Sequence, residues 1–180
     1  MQWLLVDGWS LIFGALLVLL LPLPWLAAAV LAAAWHEACH ALAVVALGGR
    51  VTTLRIGFWG MHMETSPMEP LPGAICALAG PAGSLALLLL RPWVPQVAAW
   101  GLFQGCFNLL PIFPLDGGQA MDRLLPKGRV WVERIVLGAL GLAALYGAFR
   151  GETGELPLLM VAGLAFGRKK PCKNSRFRVQ

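Results

Sequence analysis

The chain has 180 residues, of which 58% are hydrophobic and only 13% are charged. A soluble domain carries roughly 25% charged residues, so this composition excludes an ordinary soluble domain and indicates a polytopic membrane protein. A formal net charge of +5 raises the question of nucleic acid, but the apolar segments leave no room for a fold that binds it, so we predict no such partner.

Long apolar stretches follow one another along the chain, and they predict transmembrane helices. A helix needs about 20 apolar residues to cross a bilayer, and five stretches have this length: Trp3–Leu21, Trp25–Leu47, Leu71–Leu90, Val94–Phe113 and Val130–Phe149. A sixth, Leu156–Phe166, is shorter and would span only where the bilayer thins. The sequence therefore predicts an all-α polytopic membrane protein with about six transmembrane helices.

The basic residues predict the orientation of these spans. With the N-terminus in the cytoplasm and six spans, all of the 14 lysines and arginines except Arg91 and Arg150 fall on the cytoplasmic side. This distribution satisfies the positive-inside rule. We therefore expect a transmembrane domain over residues 1–167, a basic cytoplasmic tail over 168–180 that can contact anionic lipid, and both termini in the cytoplasm.

The segment after the second predicted span changes its pattern. Leu54, Ile56 and Phe58 alternate with polar or small residues, and the alternation continues to Glu64 after a break at residues 59–60. A period of two predicts a short β-hairpin at the cytoplasmic surface. Its edge could bind an extended substrate peptide through these three residues. The equally weighted alternative is a connecting hairpin that only covers the membrane face.

Residues 36–40 read His-Glu-Ala-Cys-His inside the second predicted span. On a helix, His36 and His40 lie one turn apart on the same face, with the carboxylate of Glu37 beside them. This is the ligand pair and the general base of a zinc hydrolase. Ionisable residues at bilayer depth are costly, so their presence there indicates a functional site.

A catalytic zinc ion needs a third protein ligand, and two carboxylates compete for that position. Glu64 follows His40 at a spacing known from soluble zinc peptidases, but it lies in the polar hairpin. Asp116 follows two helix-breaking prolines, and Gly117 and Gly118 after it permit a close approach of the backbone. The residues favour Asp116 over Glu64.

Three segments together resemble the site-2 protease family of intramembrane zinc metalloproteases. They are His-Glu-Ala-Cys-His at 36–40, Asn-Leu-Leu-Pro-Ile-Phe-Pro-Leu-Asp-Gly at 108–117 and Ala-Gly-Pro-Ala-Gly-Ser at 79–84. The last position of the third motif, Ser84, departs from the Asn that is frequent in the family. The order of spans is most similar to the stage IV sporulation protein FB-like group, whose members usually carry a further regulatory domain after the last span.

The resemblance implies an activity and a set of roles. One zinc ion would be held by His36, His40 and Asp116, with water in the fourth position. Glu37 would act as the general base and Asn108 would help to hold the oxyanion. The enzyme would be an intramembrane endopeptidase of a bacterial cell membrane, with its active site opening towards the cytoplasm.

The implied partners follow from this activity. The substrate would be a membrane-associated protein, such as a membrane-bound regulatory protein or pro-transcription factor, and a regulatory membrane protein could control access. Two alternatives remain from other classes. A membrane transporter of metal ions or protons would also place His, Glu and Asp inside the bilayer, and an inactive family member would bind membrane substrates without cutting them.

Overall fold

The computed structural model describes residues 4–6, 15, 18–57 and 60–150. The helices are α1 (Leu23–Ala46), α2 (Pro70–Ala86), α3 (Pro95–Asn108), α4 (Asp116–Leu124) and α5 (Arg129–Phe149), and a 3-10 turn, Leu87–Leu90, continues α2. The strands are β1 (Leu4–Val6), β2 (Val51–Gly57) and β3 (Gly60–Thr65). Phe58, the predicted span Leu156–Phe166 and the basic tail lie outside the described residues.

Three of the described helical segments are long and apolar enough to cross a membrane. They are α1, the segment Pro70–Leu90 that joins α2 to its 3-10 turn, and α5. The predicted helices over Trp25–Leu47, Leu71–Leu90 and Val130–Phe149 are thereby confirmed. The structure is mostly helical, as predicted, but six spans are not shown.

Two of the predicted spans differ from the structure. Val94–Phe113 was expected to be one spanning helix, but α3 has 14 residues and ends at Asn108, because prolines 111 and 114 cannot continue a helix. Trp3–Leu21 was expected to be a helix throughout, but Leu4–Val6 is a strand. A short apolar run does not by itself distinguish a strand from a helix, and pairing with β2 decides between them here.

The predicted β-hairpin is present as β2 and β3, which pair antiparallel from Val51 opposite Thr65 to Gly57 opposite Gly60. The third strand, β1, pairs parallel with β2 and was not expected. The sheet order is therefore β1-β2-β3, with β2 in the middle. Because β2 already has a neighbour on each side, an added peptide strand would have to pair with β1 or β3.

Proline or glycine residues lie at the ends of several helices. Prolines at the first or second position begin α1, α2 and α3, where the missing amide proton costs no helical hydrogen bond. Gly48 follows the end of α1 with a φ of 77°, the left-handed conformation in which glycine commonly ends a helix. Pro81 lies inside α2, so the helix continues past a residue type that commonly breaks helices.

The helices pack through small residues and expose large ones. The buried apolar residues include Ala28 and Ala32 of α1 and Ala74 and Ala77 of α2. Large side chains point outwards, among them Leu19, Leu31, Leu42, Leu89, Leu142 and Phe149. This distribution suits a lipid environment, in which close contact between helices is favourable and exposed leucine costs nothing.

Candidate metal centre

Helix α1 carries the first two side chains of the site on one face. His36 is 2% exposed, and its ring lies edge-on to the ring of His40, with the ring centroids 4.7 Å apart. The two Nε2 atoms are 3.1 Å apart. The spacing of one helical turn places both imidazoles together without any contribution from the rest of the chain.

The third side chain arrives from a distant part of the sequence. Asp116 is the first residue of α4, and its Oδ2 lies 3.1 Å from Nε2 of His36 and 3.2 Å from Nε2 of His40. These three residues form a group that could hold a metal ion. The expected convergence of Asp116 with the two histidines is therefore found.

The chain can bring Asp116 inwards because the segment before α4 folds back onto itself. Ile112 and Leu115 are buried and pack with Leu137 of α5. A Cβ atom at Gly117 would lie under 3.0 Å from the carbonyl oxygen of Leu109, and one at Gly118 would meet the backbone of Ile112 at a similar separation. Only glycine permits this approach of two backbone segments, as the sequence predicted.

Helix α2 supplies a hydrogen-bond partner for the Nδ1 atom of each ring. Nδ1 of His40 lies 2.7 Å from the carbonyl oxygen of Cys76, and Nδ1 of His36 lies 2.8 Å from Oγ of Ser84. These two partners were missed in the sequence, because a backbone carbonyl has no sequence signal. In the sequence, Ser84 was noted only as the last position of the third motif.

The donor set fits a zinc ion. A carbonyl oxygen only accepts hydrogen bonds, so Nδ1 of His40 must donate to Cys76, and a neutral ring then directs the lone pair of Nε2 at Asp116 and His36. Donors about 2.0–2.1 Å from a tetrahedral zinc ion stand about 3.3 Å apart, close to the separations of 3.1 and 3.2 Å seen here.

The charge of the site is consistent with this interpretation. Burial raises the pKa of the Asp116 carboxyl, but its hydrogen bonds with His36 and His40 outweigh that effect, so the pKa lies below its ordinary value. The lowered pKa favours the ionised carboxylate, the form in which Asp116 could act as a metal ligand.

The remaining predicted site residues lie at different positions relative to this group. Glu37 is half-buried beside His36 and is close enough to interact electrostatically with all three ligands. Asn108 is half-buried at the last position of α3. Leu54 and Ile56 are in β2, and Glu64, the rival ligand, is in β3; the side chains of these three lie outside the described part of the chain.

The described fold and site define a class: a largely helical chain with membrane-length helices and a buried His-His-Asp group between α1 and α4. Its fold is similar to that of the site-2 protease from Methanocaldococcus jannaschii, with a TM-score of 0.62 and 17% sequence identity. The similarity covers 93% of this chain and 90% of that one. No family model matches the chain, and no curated protein sequence matches it.

Proposed function

We propose that this chain is an intramembrane zinc metalloprotease. The observation that carries the proposal is the convergence, within 3.2 Å, of Asp116 with His36 and His40, which lie on a helix of membrane-crossing length. The fold shared with a site-2 protease supports the same conclusion. His36 lies ten residues before the end of α1, which places the site about 15 Å from that end at 1.5 Å per residue.

We assign a separate role in peptide hydrolysis to each of the site residues. A zinc ion held by the three ligands supplies a Lewis acid and a water of lowered pKa. Glu37 takes a proton from the attacking water and delivers it to the leaving amine. The amide of Asn108 donates a hydrogen bond to the developing oxyanion. The electrostatic interaction of Glu37 with His40, His36 and Asp116 supports its assignment to the first role.

The substrate follows from the depth of the site. We propose a membrane-associated protein segment that unwinds before cleavage, because the amides of an intact helix are occupied by their own hydrogen bonds. An extended segment of this kind can also add to the edge of the sheet at β1 or β3. Leu54 and Ile56 lie in the central strand β2. We therefore propose that Leu54, Ile56 and Phe58 contact the substrate through their side chains and not by backbone pairing.

The finer assignments are proposals of the same kind. We place the chain in a bacterial cell membrane with both termini and the opening of the active site on the cytoplasmic side. A membrane-bound regulatory protein or pro-transcription factor is the proposed substrate, and a second membrane protein is proposed to regulate access. We also propose that the chain belongs to the stage IV sporulation protein FB-like group of site-2 proteases, because the predicted spans follow one another in a similar order.

The first experiment counts zinc per chain by elemental analysis of purified wild type, Glu37→Gln and Asp116→Ala. We expect about one zinc ion in the first two and much less in the third, because a ligand has been removed only in Asp116→Ala. Full retention of zinc in Asp116→Ala would reject Asp116 as a ligand and return Glu64 to consideration. The absence of zinc from all three after reconstitution with added zinc would reject the metal site.

A second experiment separates proteolysis from the alternatives. The chain is reconstituted in vesicles that contain a zinc-sensitive dye, together with single-span reporter segments whose central residues are randomised. Chelator-sensitive cleavage, detected by mass spectrometry, with no change of the dye signal supports a protease. Dye signal without cleavage would indicate a transporter, and zinc binding with neither activity would indicate an inactive substrate-binding protein.

A further inference from the structure

The two histidines of the site have different partners at Nδ1. His40 faces the backbone carbonyl of Cys76 at 2.7 Å, whereas His36 faces the hydroxyl of Ser84 at 2.8 Å. A carbonyl can only accept a hydrogen bond and therefore fixes one tautomer of His40, while a hydroxyl can either donate or accept. The orientation of His36 consequently depends on a side chain, which a point substitution can remove.

The hydroxyl of Ser84 is enclosed on all sides by the helices that form the site. Ser84 is 0% exposed, and it is one of few polar residues among the buried described positions. It stands one turn after Gly80 on the face of α2 that meets α1. Gly101 of α3 packs closely against the backbone of Ser84. A Cβ atom at residue 101 would lie under 3.0 Å from the carbonyl oxygen of Ser84. Helix α3 thus packs against the backbone of Ser84, while its hydroxyl faces His36 of α1.

We propose that Ser84 is a positioning residue for the metal ligand His36. Its hydroxyl accepts the Nδ1 proton of the imidazole, so that the lone pair of Nε2 faces His40 and Asp116. This inference rests on the metal site of the proposed function and adds a residue to it. A buried polar group on an apolar helix face would otherwise weaken the packing between α1 and α2, and the bond with His36 accounts for its presence.

A hydroxyl suits His36 better than a second carbonyl would. If Nε2 of His36 donates to Asp116, which lies 3.1 Å away, then Nδ1 accepts and Ser84 donates to it. With a metal ion held at Nε2, the proton of the ring would be on Nδ1 and Ser84 would accept it. The same residue therefore satisfies both tautomers.

The main test measures the zinc affinity of the full chain by chelator competition. Removal of a hydrogen-bond partner of a metal-bound histidine typically weakens metal binding by 10–100-fold, and we expect this loss in Ser84→Ala. The matched control is Ser66→Ala, which also removes a bonded hydroxyl, the one that accepts from the amide of Arg50 at 3.0 Å, but lies outside the site. Ser66→Ala should bind zinc as the wild type does.

A spectroscopic measurement distinguishes positioning from a merely structural role. The zinc-loaded protein is prepared with ¹⁵N-labelled histidine in a His62→Gln background, so that only His36 and His40 contribute to the spectrum. We expect both rings to carry their proton on Nδ1 in the Ser84-containing protein. In Ser84→Ala one ring alone should change its ¹⁵N shifts, because His40 keeps its bond with the carbonyl of Cys76.

Each outcome decides the assignment. Unchanged zinc affinity in Ser84→Ala overturns it, as does a zinc-loaded protein in which one site ring lacks the Nδ1 proton; the second result needs no variant at position 84 to fold. Recovery of affinity in Ser84→Thr, which restores a hydroxyl, supports it. If the wild type binds zinc but cuts no reporter, the proposed protease function fails while the assignment of Ser84 stands.

Discussion

Gly80 of α2 lies directly against the imidazole of His40. A Cβ atom at this position would stand under 3.0 Å from three atoms of the ring, including the metal-facing Nε2. The same helix supplies the carbonyl of Cys76 that receives the Nδ1 proton of His40. The carbonyl of Cys76 therefore holds the ring at Nδ1. The ring fits against α2 only because residue 80 has no side chain.

This relationship predicts that Gly80→Ala impairs metal binding. The added methyl group must displace the His40 ring, and a displacement of even 1 Å moves Nε2 out of range of a metal shared with His36 and Asp116. We expect at least a tenfold loss of zinc affinity, measured by chelator competition. Gly138→Ala in α5 is the matched control, since a Cβ atom there meets nothing within 4 Å. Equal affinity in the two variants would contradict the proposed contact.

Glu37→Gln should abolish proteolysis without releasing zinc. The amide is almost the same size as the carboxylate but cannot take a proton from water, and general-base catalysis typically contributes 10²–10⁴-fold to the rate. Cleavage of a reporter in vesicles and zinc content are measured on the same preparation. The exposed residue Glu69 provides the control, because Glu69→Gln removes the same charge outside the site. Loss of zinc in Glu37→Gln would instead identify Glu37 as a ligand.

Asn108→Ala should reduce turnover strongly while zinc stays bound. Loss of one oxyanion donor costs about 10²–10³-fold in kcat in other hydrolases, so the effect should be severe but incomplete. Single-turnover cleavage is the appropriate measurement, because it isolates the chemical step. Gln104→Ala removes another half-buried amide from the same helix and should change the rate by less than a few-fold. A wild-type rate in Asn108→Ala would remove Asn108 from the mechanism.

Gly117→Ala should lower both stability and zinc content. A Cβ atom there would overlap the backbone of Leu109, which cannot rotate away as a side chain can, so the start of α4 must shift and carry Asp116 with it. Overpacking of this kind typically costs 1–3 kcal/mol. Thermal unfolding in detergent and elemental analysis test the two effects. Gly128→Ala, whose nearest contact would be 3.8 Å away, should behave like the wild type.

Substitution of Arg129 should lower stability and leave zinc binding unchanged. Its guanidinium lies 3.1 Å from the carboxylate of Asp122 and 5.3 Å from the centre of the Phe113 ring, so it ties the start of α5 to α4 and to the segment before it. Asp122 is about half exposed, which weakens the ion pair through solvent screening. We expect Arg129→Ala to cost about 1 kcal/mol and Arg134→Ala, at an exposed position of α5, to cost less. A loss of zinc from Arg129→Ala would show that the tie also positions Asp116.

The membrane helices and the hairpin could be predicted from the sequence because both depend on local periodicity. Continuous apolar runs predicted α1, the segment Pro70–Leu90 and α5, and a period of two predicted the pairing of β2 with β3. The prediction was wrong at Leu4–Val6, where an apolar run forms a strand. That strand exists through its pairing with β2, whose residues lie about 50 positions later, and no local pattern reports such a partner.

The candidate metal site, too, could be predicted only in part from the sequence. The sequence by itself determined that His36 and His40 share a face, since one turn of helix is enough to place them together, and it favoured Asp116 from the prolines and glycines around it. Only the tertiary structure decided that Asp116 lies within 3.2 Å of both rings and that Ser84 and the carbonyl of Cys76 orient them. Those contacts depend on how α2 and α4 cross α1, and a crossing is set by packing between segments that are distant in the chain.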